Sequence, residues 1–330
     1  MEQLIEKLIN AFGPSSKEEA VKELIKSELE QKVDEIREDK FGNLVAHVEG
    51  SGEKLLVAAH MDSIGVIVTD IDKNGFLRIG EIGGLRKSFL VGQRILFENG
   101  IEGFVYYEDK ESNWEVKDQK IEKFFVDIGA YSKAKAKELV QIGTEGIYKP
   151  NFYKSDRRII APSLDDRIGC AVAIQTIKNL KKKKIKYNTY FVFTVQEEVG
   201  VKGSRTSSYE IYPDIGISLD VTDAGDTPET YPVSLNLGEG PTIKVMDGGM
   251  ISSKYVRDEL IKVAKKENIP YQLEVISKGT TDAYAMQTTK AGVLSGSISI
   301  STRYIHTGGE VADLGDVENA VNLLKNFIEK

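Results

Sequence analysis

Leu4, Leu8, Ile9 and Phe12 recur at the spacing of one helical face, and Val21, Leu24, Ile25 and Leu29 repeat the pattern after a short break. Ser16-Lys-Glu-Glu19 stands in front of the second run at capping-box spacing, so two amphipathic helices are predicted to open the chain. The texture then shortens. Residues 43–48 and 54–59 are brief apolar runs bounded by Gly50 and Gly52, and they read as paired strands. The second is apolar at almost every position, which suits a strand covered on both faces by helices.

From 65 to 157 the pattern becomes one of short strands and tight turns. Apolar runs at 66–68, 76–77, 94–97 and 103–106 alternate with turn signals, of which Asn74-Gly75 and Asn99-Gly100 are the strongest hairpin dipeptides. The α/β rhythm then resumes. A helix is predicted over 166–183, strands over 189–195 and 215–219, a helix over 253–266, a strand over 293–300 and a last helix from Val317. The fold expected is α/β, a mixed sheet flanked by helices, with an inserted all-β domain. Residues 1–64 plus 158–330 form the α/β domain in this reading, and 65–157 the β-barrel-like insertion.

Composition narrows the functional classes. The chain has 330 residues, with 44 Lys and Arg against 51 Asp and Glu and a net charge of -7. That balance disfavours nucleic acid, whose phosphates call for a clustered basic face. The Lys181 to Lys184 run is placed at a helix end, where cations complement the dipole. Glu2 and Glu6 stand where a secretory signal would be basic, and no apolar run approaches the roughly 20 residues of a membrane span. A cytoplasmic location without membrane association is expected. Cys170 is the single cysteine and lies on an apolar helix face, so it is expected to be packed rather than nucleophilic.

The chemistry gathers at the ends of the predicted strands. His60 and Asp62 follow 54–59, Glu197 and Glu198 follow 189–195, Asp220 follows 215–219, and His306 follows 293–300. Asp165 lies in the Ser163-Leu-Asp-Asp-Arg167 turn before the long helix. In open α/β sheets the functional crevice lies beyond the carboxyl ends of the strands, so these distant residues are able to converge. Singly, each has a plainer reading: a helix cap for Asp165, a solvated pair for the two glutamates, a turn for Asp220, a backbone-bonded imidazole for His60. Jointly they describe a metal site. The carboxylates of Asp165, Glu198 and Asp220 repel one another unless cations separate them, and two divalent ions with a bridging hydroxide would neutralise the set. Imidazole and carboxylate donors without thiolate suit zinc, cobalt or manganese. Asp62 is placed to accept the second imidazole N–H of His60. Phosphate-loop, dinucleotide, HExxH and GxSxG motifs are absent.

Ala59-His-Met-Asp-Ser-Ile-Gly65, Ser163-Leu-Asp-Asp-Arg-Ile-Gly169, Val195-Gln-Glu-Glu-Val-Gly200, Leu219-Asp220 and Arg303-Tyr-Ile-His306, in this order, resemble the tetrahedral, or TET, metallo-aminopeptidases, and Gly279-Thr-Thr-Asp282 resembles a further family segment. Some relatives carry the names glutamyl or deblocking aminopeptidase, and some an older endoglucanase label. The resemblance implies a dinuclear-zinc aminopeptidase-like fold and two metal ions per subunit, one held by His60, Asp165 and Asp220, the other by Asp165, Glu198 and His306. Glu197 would be the general base acting on a bridging water, and Asp62 the residue that orients His60. It further implies peptide substrates and a homo-oligomer in which dimers formed through the inserted domain assemble into a dodecamer. Ser63 and Thr307-Gly308 depart from the Glu and Ser-Pro common in relatives, at positions that bear on the pocket rim. Lys202, Arg205, Lys278 and Arg303 lie near the motifs as candidate contacts for an acidic first residue, or as solvated surface charges. Two rival readings stand beside the peptidase: a metal-free glycoside hydrolase working with two carboxylates, and a metal-binding scaffold without turnover.

Overall fold

A computed structural model describes residues 1–108, 120–228 and 233–329. The expected insertion at 65–157 therefore includes a stretch, 109–119, that lies outside the described residues. The chain forms a large mixed sheet flanked by helices and a separate closed β-barrel.

Four parallel strands make the centre of the large sheet, in the order Asn188–Thr194, Lys54–His60, Ile215–Asp223 and Leu294–Arg303. Leu55, Val57 and Ala59 enter the main core beneath the helices Glu2–Asn10, Leu164–Asn179 and Leu314–Ile328. Leu56 and Ala58 point the other way, to Ile211 and Met286 of the helices Lys202–Ile211 and Asp282–Gln287. Burial on both faces is why this segment is apolar throughout. Each fully buried leucine contributes about 1.5–3 kcal/mol by leaving water.

The expected pairing of 43–48 with 54–59 does not occur. Strand Leu44–Val48 runs antiparallel to Asn188–Thr194, which lies between it and Lys54–His60. The short link suggested a hairpin, but the doubly buried strand takes parallel partners on both sides. Glu35–Glu38 extends the sheet beyond Leu44–Val48, and Glu310–Asp313, Arg158–Ala161 and Tyr153–Ser155 complete the opposite side. Thr242–Met246 and Gln272–Val275 branch from Leu294–Arg303.

The barrel is closed by Gly65–Ile71, Leu77–Ile82, Phe124–Asp127, Glu102–Tyr107, Arg94–Phe97 and Glu145–Tyr148. Val66, Val68, Leu77, Ile79, Phe97, Val105 and Phe124 fill it. At the Asn74-Gly75 turn the Asp72 carboxylate accepts from the N–H groups of Asn74 and Phe76, and Gly75 takes φ +98°. The barrel starts five positions after His60, at the rim of the sheet's carboxyl edge.

Other local expectations shift. The second helix begins at Glu19, and no Ser16 side chain caps it; instead Glu18 accepts from the Ser16 N–H. The long helix ends at Asn179, so the lysine run follows the helix rather than occupying its last turn. Among the described residues no helix is long and apolar enough to cross a membrane.

Candidate active site

Parallel register sets the site. Thr194 lies opposite His60, and Ser218 opposite Ala58, so His60, the start of the Gln196–Glu198 turn and Asp220 come to one level of the sheet. Strand Ile215–Asp223 runs past Asp220, which therefore sits inside the strand rather than after it. Leu294–Arg303 delivers the loop that carries His306.

Asp165 lies between the two imidazoles. His60 Nε2 is 3.0 Å from its Oδ1, and His306 Nε2 is 3.2 Å from its Oδ2. His306 Nε2 is also 3.2 Å from Glu198 Oε2. His60, Asp165 and Glu198 offer donor atoms within 4.8 Å of one another. Asp220 and Glu197 line the same cavity of about 390 Å³, together with Gly200, Val201, Arg205, Gly279, Thr280 and Tyr284. Six of the seven predicted site residues thus meet at one cavity.

Asp62, the seventh, lies beneath it and is fully buried. His60 Nδ1–H donates to the Asp62 carbonyl at 2.9 Å, while the Asp62 carboxylate stands 3.6 Å away. The orienting oxygen nearest the ring is thus the main-chain one. The carboxylate accepts instead from Glu197 N–H at 2.9 Å, Glu198 N–H at 3.2 Å and the Ser15 hydroxyl at 2.6 Å. Glu18 accepts from Gln196 N–H at 3.1 Å. Three successive amides are therefore received by buried acids, and Gln196 takes φ +54° to aim them there. This turn, more than Gly200, bends the chain so that both glutamates reach the cavity.

Sequence reasoning quoted Asp166 and Asp282 within motif segments without giving either a role, and it did not single out Glu310. Asp165 and Asp166, joined by a cis peptide bond, have non-helical dihedrals, and their carboxylates diverge. Asp166 turns inward to accept from His60 N–H at 3.2 Å and Gly169 N–H at 2.9 Å. Glu310 accepts from Asp165 N–H at 3.0 Å and His306 N–H at 2.8 Å. Asp282 accepts from the Thr194 hydroxyl at 2.6 Å. Each takes a partner remote in sequence, Asp166 the His60 amide, Glu310 the Asp165 amide and Asp282 the Thr194 hydroxyl, which no local pattern reveals. Of the cationic candidates, Arg205 lines the cavity, whereas Arg303 is held in a bidentate pair with Asp226. Lys202 reaches Gln196. Cys170 is buried, donating to the His60 carbonyl, and His47 bonds Asn188 away from the site.

The electrostatics call for a cation. Burial, then the Asp165 charge, pushes Asp220 well above the usual carboxylate range, and burial with the Asp220 charge does the same to Glu197. Burial pulls His306 down, but Glu198 and Asp165 overcome it and push the imidazole up to about 12. Protons thus stand where cations would otherwise balance the acids. The donor set fits a metal: donor separations of 3.0–3.2 Å approach the roughly 3.3 Å edge of a tetrahedron with bonds of about 2.0–2.1 Å. Glu198 Oε1 is buried with no hydrogen-bond partner, as an oxygen awaiting a ligand would be.

Comparison with known proteins places the chain in a family. The family described as M42 glutamyl aminopeptidase matches residues 42–323. A lysyl aminopeptidase of Pyrococcus furiosus is 39% identical over 339 aligned residues, covering 99% of this chain and 96% of the relative. The solved structure of an aminopeptidase from Desulfurococcus kamchatkensis superposes with a TM-score of 0.95 at 38% identity, covering 100% and 94% of the two chains. That of the Pyrococcus horikoshii TET1 peptidase, described as assembling into a tetrahedron or an octahedral shell, gives 0.88 at 30% identity with 99% of each chain covered. With sequence motifs, fold and site geometry in accord, the chain belongs to the M42 glutamyl aminopeptidase family.

Proposed function

We propose that the protein is a dinuclear metallo-aminopeptidase that removes the amino-terminal residue of peptides. The observation that carries this reading is the placement of Asp165 with one carboxylate oxygen beside each of two imidazoles. His60, Asp165 and Asp220 would hold one divalent ion, and Asp165, Glu198 and His306 the other, with zinc, cobalt or manganese matching the donors. Such ions, when bound, supply an acidified water and polarise the scissile carbonyl. Glu197 shares the cavity without the imidazole contacts of Glu198, and its carboxylate takes the proton of the attacking water and passes it to the leaving amine. Asp62 holds the turn that presents Glu197, and its carbonyl fixes the ring of His60.

The reading extends to assembly and place. The barrel, with Phe89, Phe104 and Ile142 exposed, would form dimers, and these a dodecamer in the cytoplasm, in keeping with the assembly described for TET1. Mass photometry reports that stoichiometry directly.

The deciding experiment uses a panel of aminoacyl p-nitroanilides, free and N-acetylated, before chelation, after it, and after return of zinc, cobalt or manganese. Hydrolysis of the free amines alone, lost with EDTA and restored by metal, is expected. Preference for acetylated substrates defeats the aminopeptidase reading. Glycosidase activity that survives EDTA favours the carbohydrate alternative, and metal binding without turnover favours a scaffold.

A further inference from the structure

His306 is set by contacts from two directions that are separate from its ligand face. Its backbone is left-handed, with φ +65°, and its N–H donates to Glu310 Oε1 at 2.8 Å. The other Glu310 oxygen receives the N–H of Asp165, so one buried carboxylate spaces the main chain of two predicted ligands. The ring is held by the barrel. Nδ1 lies 2.9 Å from the carbonyl oxygen of Gly84, just beyond strand Leu77–Ile82. A carbonyl only accepts, so Nδ1 carries a proton, and in the neutral ring Nε2 is the nitrogen that offers its lone pair beside Asp165 and Glu198.

The approach is tight enough to exclude a side chain. A Cβ on Gly84 would lie 2.9 Å from His306 Nδ1 and 3.1 Å from Cε1. One on Gly83, which takes φ +72°, would lie 3.1 Å from Glu198 Cβ and 3.3 Å from its Oε2. The glycine pair rests directly on two of the three donors assigned to the second ion.

We propose that Gly84 of the barrel and Glu310 of the large sheet are positioning residues that set the second metal position, the one His306 serves, so that the inserted barrel is a working part of the metal site. This rests on the dinuclear reading above. Gly84 acts on the imidazole and Glu310 on the backbone, and neither touches the donors assigned to the first ion other than Asp165.

The test is a Co²⁺ titration of the full-length, chelator-stripped protein, following d–d absorption and the bound metal per subunit. Wild type is expected to take up two equivalents. Gly84→Ala and Glu310→Gln should keep the first equivalent and weaken the second by on the order of 10–100-fold. Glu310→Asp, which keeps two acceptor oxygens, should recover part of that loss. Gly309→Ala, whose Cβ meets nothing within 4 Å, should titrate as wild type. A second equivalent bound with wild-type affinity by folded Gly84→Ala overturns the proposal, as does equal weakening of both equivalents. Should Glu310→Gln fail to fold, Gly84→Ala alone decides. A single equivalent in wild type would refute the dinuclear reading itself, and this proposal with it.

Discussion

The carboxylate of Asp62 receives the main-chain N–H groups of both Glu197, at 2.9 Å, and Glu198, at 3.2 Å. Neighbours on an extended chain point to opposite sides, so two adjacent acids share a cavity only if the backbone between them is turned and held. Asp62→Ala removes the acceptor and leaves buried donors unpaired, at about 1–3 kcal/mol each. We expect a loss of activity on the order of 10–100-fold with a folded protein, read from kcat alongside metal content. Wild-type kcat in this variant would show that the turn holds without it.

Glu197→Gln should abolish turnover and leave metal content near wild type, because the amide fills the same space but accepts no proton. Metal analysis of the purified variant beside its p-nitroanilide rate makes the comparison. Parallel loss of metal and activity would contradict the role of proton carrier.

Asp165→Asn should empty both metal positions, since one side chain faces both histidines. Metal bound per subunit after dialysis is the measurement. Two tightly retained ions would exclude a bridging Asp165.

Stability should depend on pH differently with and without metal. In the metal-free protein, Glu197, Asp166 and Asp220 keep their protons after the unfolded chain has lost its own, burial being the leading cause. Folded stability therefore falls as pH rises above about 4–4.5, where unfolded carboxyls ionise. His306, held near 12, acts in the same direction above about 6.5, and its contribution drains away toward that value. Asp165 and Asp62, which are lowered, matter only as pH falls below about 4. Thermal melts of chelated and reloaded protein from pH 5 to 9 should show a gap in Tm that widens with pH. A gap that stays constant or narrows would mean that the cluster is not relieved by cations.

Most of the predicted ligands were readable because four parallel strands end at one edge, and an apolar run followed by His, Asp or Glu marks such an end, whereas Asp165 comes from the start of the long helix. Neighbours in the sheet were not. Leu44–Val48 and Lys54–His60 are close in sequence but separated by a strand from residue 188 onward, a choice made by long-range burial. Thr242–Met246 and Gln272–Val275 carry Lys244 and Glu274, whose buried pairing at 2.6 Å disguises two strands as polar sequence. Glu310 escaped notice because its partners are amides, one of them 145 positions away. Gly84 contributes a carbonyl, which every residue possesses.

The predicted ligands that line this cavity run from His60 through Asp165, Glu198 and Asp220 to His306, the last arriving behind Leu294–Arg303, a central strand of the sheet. During synthesis the cavity would thus be completed only once residue 306 has been translated. A copy that stops before it would lack that wall of the cavity, however completely the earlier strands had formed.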